Sequence, residues 1–254
     1  MSLAERLRSG EKLYTAWSGI PDVTTTEVLA ASAFDVITLD MQHGGHHEDS
    51  VLKATGAILA AGKPAVVRIP VGRFDMASRA LDFGADAVIA PMVNSIEDAQ
   101  RFAAAMKYPP VGERSWGPTF GMPRRGVSDS GRWLAEANGN TLAFAMIETR
   151  AALDIAGEIA ATPGIDGLFV GPSDFSIAWT GGETVNPSLE DMMEAIASIA
   201  AKARDAGKLA AIYVVDPKLV RRYAEMGFCM FALGNENKYI SLGVDALLNQ
   251  ANGG

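Results

Sequence analysis

Short apolar runs recur along the chain, most of them after a helix-like stretch that ends in glycine or another small residue. They are Asp35–Asp40, Pro64–Ile69, Asp86–Pro91, Asp166–Val170, Lys208–Tyr213 and Phe228–Leu233. The stops at Gly62, Gly84, Gly164, Gly207 and Gly227 suit the left-handed backbone that closes a helix. The runs are almost continuously apolar rather than alternating, as in parallel strands buried on both faces. Helix starts are also marked: Ser95-Ile96-Glu97-Asp98 reads as a capping box, and Asn186-Pro187 and Asp216-Pro217 as a cap followed by proline. With Leu13–Ser18 and Leu142–Ile147 the chain offers eight strand candidates alternating with helices. Eight such units in 254 residues predict one (β/α)8 TIM barrel, a single domain over residues 1–254, rather than an open doubly wound sheet. No strand candidate leads into a Gly-x-Gly-x-x-Gly turn or a phosphate loop, which argues against nucleotide binding. The stretch 108–130, rich in Gly, Pro and Arg, is expected to be an inserted loop serving as a lid or contact surface.

Composition narrows the function classes. The chain is 48% hydrophobic and 20% charged, with 22 basic against 30 acidic residues and a net charge of −8. No basic cluster exceeds the pairs Arg124-Arg125 and Arg221-Arg222, so no nucleic-acid partner is expected. No apolar run approaches the roughly 20 residues that span a bilayer, and Met1–Gly10 is charged, unlike a signal peptide. A single cysteine, Cys229, excludes an intrachain disulfide and fits a reducing cytoplasm; within Gly227–Phe231 it is expected to be buried and inert.

Chemistry-bearing residues gather where the strand candidates end, the place where barrels of this type build active sites. Trp17 ends the first strand and reads as either core or cavity wall. Asp40, Gln42 and His43 follow the second, Arg68 closes the third, Glu148 follows the fifth, and Gly171-Pro172-Ser173-Asp174 follows the sixth. Glu148 alone reads equally as an ion-pair partner and Asp174 as a helix cap. Together, two carboxylates on consecutive strand ends suit a hard divalent cation. All three histidines fall at His43, His46 and His47. They read either as a zinc set or, more economically, as one proton carrier, His43, oriented by Asp40. Gly44-Gly45 opposes the helical turn that a zinc set needs. Arg68 reads as an internal ion pair or as an oxyanion clamp.

The combination Leu39-Asp40-Met41-Gln42-His43, Val67-Arg68, Ile147-Glu148-Thr149-Arg150 and Gly171-Pro172-Ser173-Asp174-Phe175-Ser176 resembles the HpcH/HpaI aldolase family, over about Leu13 to Ala246. Tyr108–Arg114 resembles the family's loop before the lid. The resemblance implies a TIM barrel of the phosphoenolpyruvate/pyruvate type and a class II, metal-dependent aldolase. Such an enzyme reversibly cleaves 4-hydroxy-2-oxo acids to pyruvate or hydroxypyruvate and an aldehyde. It further implies Glu148 and Asp174 as ligands of Mg²⁺, Mn²⁺ or Co²⁺, and Arg68 on the enolate oxygen. His43 with Asp40 would act as acid/base, with Trp17, Gln42, Gly171 and Ser173 at the substrate. The family's assembly implies a homo-hexamer, a trimer of dimers, with the last helix, Tyr239–Leu248, exchanged between neighbours.

Met146, where the family often has glutamine, and Ser115, where it commonly has glycine, depart from the pattern. The lid residues Trp116–Arg125 are expected to line the aldehyde side. Arg124 or Arg125 would there favour an acidic aldehyde, unless they serve an exposed face or a subunit contact. Two other readings remain: a CoA-ester lyase of the citrate or malyl type, and a non-catalytic barrel that binds a 2-oxo acid.

Overall fold

The computed structural model describes residues 1–253. Its elements in chain order are α1 (Leu3–Arg8), β1 (Leu13–Ser18), α2 (Val23–Ala31), β2 (Val36–Asp40), α3 (Glu48–Ala60), β3 (Ala65–Arg68) and α4 (Asp75–Phe83). β4 (Ala87–Ala90), α5 (Ile96–Met106), α6 (Gly121–Arg124), α7 (Ser130–Asn140), β5 (Leu142–Ile147), α8 (Arg150–Asp154) and α9 (Ala156–Ala161) follow. The chain ends with β6 (Gly167–Val170), α10 (Pro172–Trp179), α11 (Met193–Asp205), β7 (Leu209–Val214), α12 (Val220–Met226), β8 (Met230–Leu233) and α13 (Glu236–Ala251). Every strand pairs in parallel with its sequence neighbours, and β8 closes on β1. The closed barrel is the predicted one, and all eight strands lie at the expected runs.

Because side chains alternate across a strand, each nearly all-apolar run feeds two cores. Val36, Val66, Ile89, Phe144, Phe169 and Met230 belong to the cluster that fills the barrel, together with Leu3, Ala4 and Leu7 of α1. The alternate positions Ile37, Val67, Val88, Ala145, Leu168 and Ile212 belong to the cluster that includes the surrounding helices. The same parity carries Asp40 and Arg68 inward, two residues beyond Thr38 and Val66.

The strand feet share one device. Asp35, Asp86 and Asp166 directly precede β2, β4 and β6. Their carboxylates accept the N–H of Tyr14, Ala65 and Ala143 on the preceding strands, at 3.0, 3.0 and 2.9 Å. Each is matched by cations: Arg6 on Asp35, Arg125 on Asp86, and Lys107 and Arg8 on Asp166. The basic residues of α1 thus tie it to the barrel floor while Leu3 and Leu7 plug it. Before β8 the corresponding position is Cys229, whose Sγ lies 3.4 Å from Ala210 O. Burial pushes this thiol up, and the residue is half-buried rather than fully enclosed.

Asp166→Ala is expected to cost about 3–5 kcal/mol in urea unfolding, since it strands the Lys107 ammonium, only 2% exposed, without a counter-charge. Asp35→Ala, at a more open foot, is expected to cost about 1 kcal/mol. Equal losses would show that the buried cation is not the reason.

Candidate active site

The C-terminal mouth of the barrel holds a cavity of about 420 Å³. Trp17, Asp40, His43, Arg68, Glu148, Gly171, Ser173 and Asp174 all line it, eight of the nine positions expected from sequence. Gln42 does not: its side-chain oxygen is buried without a hydrogen-bond partner, and only its N–H reaches the site, donating to Asp40 Oδ1 at 2.9 Å.

Asp40 and Arg68 are directly paired residues of β2 and β3. This register sets guanidinium against carboxylate in a two-pronged pair, Nε to Oδ1 at 2.8 Å and Nη2 to Oδ2 at 2.6 Å. Trp17 Nε1 donates to Asp40 Oδ2 at 3.2 Å, and its ring lies 5.0 Å from the Arg68 guanidinium carbon. Burial works to raise the Asp40 carboxyl, but the bonds and charge of Arg68 outweigh it and hold it below its ordinary value. Asp40 therefore orients His43 differently from the expectation. It accepts the His43 main-chain N–H at 3.3 Å, and its carboxylate oxygens are occupied by Arg68, Trp17 and Gln42. The His43 side chain itself is exposed at the mouth.

Glu148 is in the opposite condition. It is 1% exposed, and one N–H, from Met92 at 2.8 Å, reaches its carboxylate. Met92 holds a left-handed backbone (φ 53°) rarely adopted by non-glycine residues, which aims this N–H into the site. Burial raises Glu148 to about 7; the Met92 bond opposes the rise, Asp174 adds to it, and Arg68 lowers it. Asp174 stands in the first turn of α10, whose N-cap is Gly171 and whose first residue is Pro172. A Cβ at position 171 would collide with Glu148 Oε1 and Met146 Cε, so glycine keeps the space before the carboxylate open. Two facing carboxylates, one poorly solvated, beside free helix-start N–H groups form a donor set suited to a hard cation and a small anionic ligand.

The histidines diverge. His46 is buried between Ser18 and Ser50, with Nε2 3.0 Å from Ser18 Oγ and Nδ1 3.1 Å from Ser50 Oγ, whereas His47 is exposed. Among the described residues no three His, Cys, Asp or Glu side chains converge to hold a metal ion, so the zinc set is excluded as a reading. Burial depresses His46, outweighing the nearby charges of Glu236 and Asp40. Ser18 Oγ donates to Glu236 Oε1 at 2.7 Å, so it accepts from His46 Nε2, while Ser50 Oγ lies against both His46 Nδ1 and His47 O.

Glu236 and Tyr213 also line the cavity and were missed from sequence. The strand-end rule that found the other residues points to both, one at the end of β7 and the other just past β8. Residues 108–130 do not line the cavity, contrary to expectation. Arg124 is bound to the carbonyls of Leu52 and Phe83, and Arg125 to Gly84 O and to Asp86 at the opposite end of the barrel. Within one chain neither arginine reaches the cavity.

Comparisons with known proteins cover nearly the whole barrel. The family model described as HpcH/HpaI aldolase/citrate lyase matches residues 14–241. A hydroxypyruvate/pyruvate aldolase of Roseovarius nubinhibens is 34% identical over 90% of this chain and 88% of its own. A 4-hydroxy-2-oxo-heptane-1,7-dioate aldolase of Salmonella dublin is 30% identical over 96% and 91%. The crystal structure of an HpcH/HpaI aldolase/citrate lyase family protein from Burkholderia cenocepacia superposes with a TM-score of 0.86 at 29% identity, covering 98% of both chains. With the paired carboxylates at the mouth and a match that runs from β1 into α13, the chain belongs to the HpcH/HpaI aldolase/citrate lyase family.

Proposed function

We propose that the cavity is the active site of a metal-dependent aldolase that interconverts 4-hydroxy-2-oxo acids with pyruvate or hydroxypyruvate and an aldehyde. As a member of its family the chain is a carbon–carbon lyase. The observation that carries the finer reading is Glu148, a buried carboxylate raised to about 7 and set against the charge of Asp174. A divalent cation, Mg²⁺, Mn²⁺ or Co²⁺, relieves that repulsion, and Glu148 and Asp174 are the residues that would hold it. When bound, such an ion supplies the Lewis acid that makes the methyl or hydroxymethyl protons of a 2-oxo acid removable near neutral pH.

The chain's own groups do the rest. The N–H groups of Gly171 and Ser173 at the start of α10 bind the substrate carboxylate. Arg68 spends Nε and one N–H of Nη2 on Asp40, and Nη1 remains to stabilise charge on the keto oxygen. Asp40 and Trp17 keep that guanidinium in place, so both act as positioning residues. His43, at the rim of the mouth, exchanges the proton of the aldehyde oxygen directly or through water. Among the described residues Arg68 is the one arginine or lysine that lines the cavity, and it is already paired, which does not suit the phosphates of a CoA ester.

Self-association through α13 belongs to the same proposal. Ser241 to Gly253 are all exposed, including Leu242, Val244, Leu247 and Leu248. Tyr239 is anchored to its own barrel, bonded to Leu233 O and accepting the Trp17 N–H. Any exchange of this helix within a hexamer therefore begins beyond Tyr239. The described residues include no helix long and apolar enough to cross a membrane.

Glu148→Gln is expected to abolish Mn²⁺ binding and the Mn²⁺-dependent exchange of pyruvate methyl protons with deuterium. In the metal-free protein the raised Glu148 contributes stability present below its ordinary value and lost as pH climbs through about 7. Bound Mn²⁺ removes that loss, so its shift of the melting temperature should be larger at about pH 8 than at about pH 5.5. A shift that is the same at both, or retained in Glu148→Gln, would place the ion elsewhere.

His43→Ala is expected to keep Mn²⁺ affinity and proton exchange while aldol cleavage falls by roughly 10²–10⁴. Loss of metal affinity in this variant would return the histidine to the ligand set. Leu247→Glu with Leu248→Glu is expected to lower the assembled mass in sedimentation; an unchanged mass would remove α13 from the interface.

A further inference from the structure

If the function is as proposed, the 2-oxo acid occupies the side of the cavity that holds Glu148, Asp174 and Arg68. The opposite wall decides which aldehyde enters. It comes from the loops after β1, β2 and β8, and includes Gly19, Ile20, His43, Asn235, Glu236 and Asn237. Glu236, the first residue of α13, is 4% exposed. Its carboxylate accepts the N–H of Gly19 at 2.9 Å and of Ile20 at 3.3 Å, besides the hydroxyl of Ser18 at 2.7 Å. Held on three sides, it cannot turn out to solvent, and its charge stays in the wall. The one imidazole that touches this network, His46, does so through Ser18, and burial works against its carrying a charge.

The charge balance of the lining is one-sided. Four carboxylates, Asp40, Glu148, Asp174 and Glu236, face one guanidinium, Arg68. A divalent cation still leaves an excess of negative charge, and the carboxylate of the bound 2-oxo acid adds to it. A second carboxylate on the aldehyde would enter a partly desolvated space with no free cation to receive it. The wall also offers uncharged hydrogen-bonding groups suited to hydroxyls: the carboxamide of Asn237 and the Nδ2 of Asn235, whose Oδ1 accepts the Lys238 N–H.

We propose that the aldehyde subsite takes a short, uncharged, hydroxylated aldehyde, and that Glu236 is the specificity-determining residue that excludes carboxylated ones. The test is the addition of pyruvate to glyceraldehyde, propanal, glyoxylate and succinic semialdehyde by the Mn²⁺-loaded full chain. Glyceraldehyde should lead in kcat/KM by at least about tenfold. Added salt should raise kcat/KM for the two carboxylated aldehydes and leave glyceraldehyde unchanged, because screening weakens repulsion only for a charged ligand. Glu236→Gln should narrow the ratio of glyceraldehyde to succinic semialdehyde at least about threefold, and Glu236→Asp should keep it. The salt series on the unaltered protein stands even where a variant folds poorly. Preference for a carboxylated aldehyde, or a ratio indifferent to both salt and Glu236→Gln, overturns the inference. Deuterium exchange into pyruvate without any aldehyde separates the two levels. Exchange with the wrong aldehyde preference leaves the aldolase intact and sinks only this subsite, whereas absence of exchange sinks both.

Discussion

Burying negative charge at the mouth of a barrel is unfavourable unless something answers it, and the pairing register of β2 and β3 determines which carboxylate is answered. Asp40 and Arg68 are cross-strand partners, so the single arginine of the cavity is committed to Asp40 and further held by the Trp17 ring. Glu148, with one main-chain donor and Asp174 nearby, is left in deficit. Two carboxylates in one pocket thus receive opposite environments. The satisfied one holds the arginine in place, and the unsatisfied one is where the proposed cation would be most strongly stabilised. The proposed metal site descends from that allocation.

The other end of the barrel handles the same problem differently. At the feet of β2, β4 and β6 each aspartate closes the ladder to the strand before it and meets a cation from the chain itself. There the charges are internally balanced and serve cohesion, so no ligand is called for. An internally neutral floor beneath a mouth in charge deficit matches the division of labour expected of this fold, with stability below and chemistry above.

Most of the scaffold was legible in the order of residues. Glycine stops and short apolar runs located all eight strands to within about two residues, because a parallel strand covered on both faces leaves little room for polar side chains. The strand-end rule brought Trp17, Asp40, His43, Arg68, Glu148, Gly171, Ser173 and Asp174 to one cavity. Stopping that rule at the sixth strand left Tyr213 and Glu236 unread. Gln42 lies two residues past inward-facing Asp40, but beyond the end of β2 strand alternation lapses and its side-chain oxygen is buried away from the cavity. The lid arginines are held by carbonyls of distant helices.

Local sequence determined which residues stand at the ends of which strands and on which face, since alternation and helix caps are set by near neighbours. Which charge meets which was decided only in the closed barrel. Arg68 was free on sequence grounds to pair with any of several carboxylates, and the register chose Asp40. His46 and Glu236, 190 positions apart in the numbering, share Ser18 because β8 closes on β1. Electrostatic partnership depends on distances of a few ångströms across chain segments remote in sequence, and those distances exist only once the sheet has closed on itself.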